Sequence, residues 1–66
     1  MSKIDIIEKS RGRYFGLATT QGNKLNARYV GSTNDYIRVY DRNKDQQVKL
    51  AKTSVASVSY GGETFR

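Results

Sequence analysis

The chain has 66 residues, with 12 lysines and arginines against 6 acids, a formal net charge of +6, and neither cysteine nor histidine. That length allows one domain with a stability of roughly 3–10 kcal/mol, which leaves little free energy for buried polar machinery. Lack of cysteine removes disulfides and thiolate metal sites, and lack of histidine removes the commonest general base and metal ligand; no enzyme active site, cofactor or metal is expected.

The basic residues run from Lys3 to Arg66, so the folded body itself carries a positive field and polyanions are its natural attractants. A charge of this size also serves solubility alone. No apolar run approaches the roughly 20 residues of a membrane span. The opening Met1-Ser2-Lys3-Ile4-Asp5-Ile6-Ile7-Glu8-Lys9 has acids where a signal peptide is apolar. These features predict a soluble cytoplasmic protein that does not enter a membrane.

Residues 1–11 read as a short helix or arm. Ser2 followed by Asp5 matches a capping box, and Ile4 and Ile7 share a helical face with Ile6 nearby. A strand with Ile4 and Ile6 alternating competes with it; the capping box favours a helix from about Lys3 to Ser10, ended by Gly12. From Arg13 the period becomes two. Phe15, Leu17 and Thr19 alternate with Tyr14, Gly16, Ala18 and Thr20, Gln21-Gly22-Asn23 turns the chain, and Lys24 to Val30 returns it. On that return strand Leu25, Ala27 and Tyr29 share one face and Asn26, Arg28 and Val30 the other. Gly31 to Asp35 is a loop by composition.

Tyr36 to Asp41 is the clearest strand, with Ile37 and Val39 inward and Tyr36, Arg38 and Tyr40 outward. Arg42 to Asp45 turns the chain, and Gln46 to Ala51 follows with Val48 and Leu50 inside. Lys52-Thr53-Ser54 is a short link with room for a helical turn. Val55 to Tyr60 supplies Val55 or Val58 to the core, Gly61-Gly62 is a hairpin signal, and Glu63 to Phe65 is a final strand. The expected core is Phe15, Leu17, Leu25, Ile37, Val39, Val48 and Leu50. Five or six short antiparallel strands separated by polar turns, with no proline, indicate one all-β domain over residues 1–66: a small barrel or strongly curled sheet. Six short strands need not close, and an open edge makes a homodimer one expected partner state.

Three segments together carry a resemblance: Ser10-Arg11-Gly12-Arg13-Tyr14-Phe15, Leu25-Asn26-Ala27-Arg28 and Tyr36-Ile37-Arg38-Val39-Tyr40-Asp41-Arg42. Over roughly Ser10 to Val58 the chain resembles small tailed-bacteriophage proteins with an SH3-like β-barrel fold. The resemblance implies an SH3-like barrel in a phage protein expressed in a bacterial cytoplasm. It brings no activity, since the family's functions are largely unassigned. The chain departs from the family at Gln21-Gly22-Asn23, where the turn is usually rich in lysine and aspartate, and in the short, lysine-free Gly31 to Asp35 connection.

The candidate site is the outward stripe Tyr36, Arg38, Tyr40, joined by Arg28 and Asn26 on the preceding strand and by Tyr14 and Lys49. Rings interleaved with cations suit nucleic acid, because bases stack on rings at about 1–3 kcal/mol each while cations hold phosphates. Exposed tyrosines and arginines also serve as ordinary cross-strand partners and as anchors for a protein partner. The expected role is therefore nucleic-acid binding, with docking to a host or phage protein, such as an enzyme of transcription or replication, as the alternative. Arg42 and Lys44 read as a solvated turn. The carboxylates Asp5, Glu8, Asp35, Asp41, Asp45 and Glu63 are scattered, and no phosphate-cradling glycine motif occurs. Lack of tryptophan and of an acidic loop excludes proline-rich peptide binding.

Overall fold

The Ser2 half of the expected capping box forms. In a computed structural model, which describes residues 2–66, the Ser2 side chain accepts from the Asp5 amide at 3.2 Å and starts helix α1 (Lys3–Lys9). Ile6 and Ile7 are buried, so the helical reading holds and the competing strand does not. At the other end the buried Ser10 hydroxyl donates to the Ile7 carbonyl at 2.7 Å. Gly12, at φ 78°, then swings the chain into the sheet.

Six strands follow: β1 (Tyr14–Thr19), β2 (Lys24–Ser32), β3 (Tyr36–Asp41), β4 (Gln46–Ala51), β5 (Val55–Tyr60) and β6 (Glu63–Phe65). They form one antiparallel sheet in the order β4-β3-β2-β1-β5-β6. Gly61 and Gly62 both take positive φ, 62° and 83°. That is the pair of left-handed residues a two-residue β5–β6 hairpin requires.

The sheet is strongly curled, and the short link after β4 shows why. β4 and β5 stand four strand spacings apart in the sheet order, at least about 19 Å if it were flat. Yet the 3-10 turn Lys52–Ser54 joins them directly, and such a turn advances only about 2 Å per residue. The turn is tied on both sides: the Lys52 amide donates to the Asp35 carbonyl and the Thr20 amide to the Ser54 carbonyl, each at 2.9 Å. β2 makes the bend possible. Its first half pairs with β1 and its second half with β3, and a bulge leaves Val30 unpaired between Tyr29 and Gly31. Of the two expected forms, small barrel or strongly curled sheet, the hydrogen bonding gives the open one: the sheet does not close, and β4 and β6 remain as edges.

The core lies inside the curl. It comprises Phe15, Leu17, Ala27, Ile37, Val39, Val55 and Val58 from the sheet with Ile6 and Ile7 from α1, which packs on β5 and β2. Leu25, Val48 and Leu50, expected to be largely buried, are half-buried and pack against the core from its rim. Val48 and Leu50 lie on β4, which has no neighbour on its outer side. Val55 and Val58 both point inward although three positions separate them. The β1–β5 register runs Leu17 to Val58, Ala18 to Ser57, then Thr19 to Val55, and the skipped Ala56 resets the alternation.

Candidate functional site

Alternation places Tyr14, Arg28 and Tyr40 outward, and register then lines them up. Tyr14 is opposite Arg28 across β1–β2, and Arg28 is opposite Tyr40 across β2–β3. The Arg28 guanidinium carbon is 5.6 Å from the centroid of the Tyr14 ring and 5.5 Å from that of Tyr40. Arg42 approaches the same Tyr14 ring at 5.1 Å, and its amide donates to the Asn26 carbonyl at 2.9 Å. Asn26 is half-buried and pairs with Gly16 on β1, beside this row. The Tyr40 hydroxyl donates to the Asp45 carboxylate.

Farther along β3, Arg38 is opposite Gly31 on one side and Lys49 on the other. The Lys49 ammonium is 4.3 Å from the centroid of the Tyr36 ring. Val30, Gly31, Thr33, Tyr36, Arg38 and Lys49 help line an open cleft of about 290 Å³. Among the described residues no ion pair engages Arg28, Arg38, Arg42 or Lys49.

All seven expected residues thus fall on one stretch of the sheet, but the expected centre moves. Alternation alone suggests that Arg38 sits between the Tyr36 and Tyr40 rings. In the fold, Arg28 holds the place between two rings, and Lys49 lies over Tyr36. Same-face residues on one strand are about 6.6 Å apart, whereas directly opposed residues are closer, so side chains reach across strands sooner than along them. Arg42 is the residue that sequence reasoning assigned to solvent and the fold brings to the face. Its signal was available, since Arg42 continues the alternation of Tyr36, Arg38 and Tyr40. Lys44 stays in the exposed turn.

The acids do no shared work. Asp41 is buried and accepts from the Asn43 amide at 3.0 Å and the Lys44 amide at 3.4 Å, which shapes the β3–β4 turn. Among the described residues no group of acidic side chains is placed to hold a metal ion, and no helix is long and apolar enough to cross a membrane. A second polar chain has a structural role. The Ser32 hydroxyl donates to the Glu8 carboxylate at 3.1 Å and lies 3.0 Å from the Tyr29 hydroxyl, while Arg11 covers the Tyr29 ring at 5.4 Å. It ties α1 to the end of β2.

Compared with protein-family models, curated proteins and solved structures, the chain matches none.

Proposed function

We propose that this chain is a small basic bacteriophage accessory protein that binds single-stranded nucleic acid on its outward tyrosine–arginine face. The observation that carries the reading is the row Tyr14–Arg28–Tyr40 with Arg42 beside it: two rings and one cation on paired strands, and a second cation at the start of the β3–β4 turn. Stacking on rings and contacts from cations to phosphates use the same residue types, and neither reads sequence, so binding is broad in base preference. The SH3-like barrel implied by the phage resemblance is supported by the curl that a three-residue link imposes on β4 and β5.

Titration of a labelled random oligonucleotide over a salt series tests the reading. Engagement of Arg28, Arg38, Arg42 and Lys49 gives a slope of about −3 in log affinity against log salt, or roughly a 50-fold loss between 50 and 200 mM. The docking alternative draws on the exposed Tyr14, Val30 and Tyr36 side chains. It predicts a protein complex that survives nuclease treatment, with oligonucleotide binding weak and insensitive to Arg28→Ala.

A further inference from the structure

Arg38 and Lys49 are directly opposed in the β3–β4 ladder. Like charges so placed destabilise a sheet, and here no acid offsets them among the described residues. Their cost to the free fold is only partly relieved where Lys49 leans over Tyr36. Both cations line the 290 Å³ cleft, whose remaining wall includes Tyr36, 44% exposed, and Val30, 43% exposed. The bulge at Val30 sets this up: it skips Val30 and puts Gly31, which has no side chain, opposite Arg38. A Cβ at Gly31 would meet nothing within 4 Å, so the absence of a side chain there leaves the cleft open.

We propose that this cleft is a nucleotide subsite that takes one nucleoside phosphate, with the phosphate between Arg38 and Lys49 and the base against Tyr36 and Val30. An anion between the two cations removes the repulsion that the empty site carries, and the ring and valine give a base an apolar surface that inorganic phosphate cannot use. A free mononucleotide and a nucleotide unit within a strand share this chemistry. The inference rests on the nucleic-acid reading only for the second of those sources.

The test is a set of amide-resolved NMR titrations with AMP, dTMP, inorganic phosphate and a short oligonucleotide, on the wild type and on Gly31→Val, Lys49→Gln and Lys44→Ala, with a melting curve for Arg38→Gln. Both mononucleotides are expected to shift amides at residues 30–33, 36–38 and 49, and to bind more tightly than inorganic phosphate. Gly31→Val fills the cleft without changing charge and is expected to abolish these shifts while the rest of the spectrum stays native. Lys49→Gln is expected to weaken mononucleotide binding about ten-fold, whereas Lys44→Ala, in the exposed β3–β4 turn, leaves it unchanged. Arg38→Gln removes the like-charge pair and is expected to raise Tm at low salt. Mononucleotide shifts that are absent, lie elsewhere, or survive Gly31→Val overturn the inference, as does inorganic phosphate binding equally well. If Gly31→Val loses mononucleotide binding but binds oligonucleotide as the wild type does, the subsite takes free nucleotides and the nucleic-acid face stands without it. If mononucleotides fill the cleft but oligonucleotides show no salt-dependent binding, the subsite stands and the wider reading falls.

Discussion

Arg28 stands directly opposite Tyr40, with its guanidinium carbon 5.5 Å from the ring centroid. Because the Tyr14 ring flanks it on the other strand, the side chain is ordered before any partner arrives, and less rotamer entropy is lost on binding. Arg28→Ala is expected to weaken oligonucleotide binding roughly ten-fold and flatten the salt slope by about 0.7. Lys44→Ala, in the exposed turn, should change affinity by less than about two-fold, since its side chain must be ordered on binding. Equal losses for the two variants in the same titration would remove the special role of the Tyr14–Arg28–Tyr40 row.

Leu17 is the core position whose loss is most telling. It is 2% exposed and opposes the fully buried Val58 across β1–β5. Leu17→Ala is expected to cost about 2–5 kcal/mol, against a total of roughly 3–10 kcal/mol for a chain of this size. Urea or thermal denaturation reads the loss directly, with a fall in Tm of at least about 10 °C. A fall of only a degree or two would contradict the packing described around β1 and β5.

The β5–β6 hairpin depends on its turn. Gly61 and Gly62 occupy left-handed backbone that a branched side chain adopts at a cost of about 1–2 kcal/mol per residue. Gly61→Val is expected to fray β6 first, so amide exchange should quicken at Phe65, opposite Val58, before it changes in β3. Uniform exchange across both strands would show that the hairpin does not open on its own.

β4 is an edge strand, and Lys49 on it is one of the charges that keep such an edge from pairing with another chain. Lys49→Val is expected to shift the chain toward a dimer, read by sedimentation velocity across the micromolar range. An unchanged distribution would show that the outer side of β4 is closed to a second copy.

Much of this architecture was legible in the sequence, for identifiable reasons. β3 shows strict alternation between polar turns, and its limits, Tyr36 and Asp41, are those of the fold. Ser2 and Asp5 announced α1, and Gly61-Gly62 announced the last hairpin. What escaped depends on relations between strands. The bulges at Val30 and Ala56 reset alternation without any local signature, which is why Val55 and Val58 looked like alternatives when both are buried. The outward face was recognised as a set, but its pairing was not: that Arg28 rather than Arg38 lies between rings follows from register, and register is fixed only when β1, β2 and β3 come together.

The return of β5 to the side of β1 also sets the order in which the chain can fold. β2, β3 and β4 pair with sequence neighbours, so their loops close at small entropic cost. Residues of α1 and β5 are separated by most of the chain, as the Lys3 ammonium donating to the Ala56 carbonyl at 3.5 Å across 53 positions illustrates. High contact order of this kind slows folding toward the millisecond-to-second range. During synthesis the central meander can form early, while Ile6, Ile7, Phe15 and Leu17 wait uncovered for Val55 and Val58. Until β5 has left the ribosome, that apolar surface is open to chaperones and to other nascent chains.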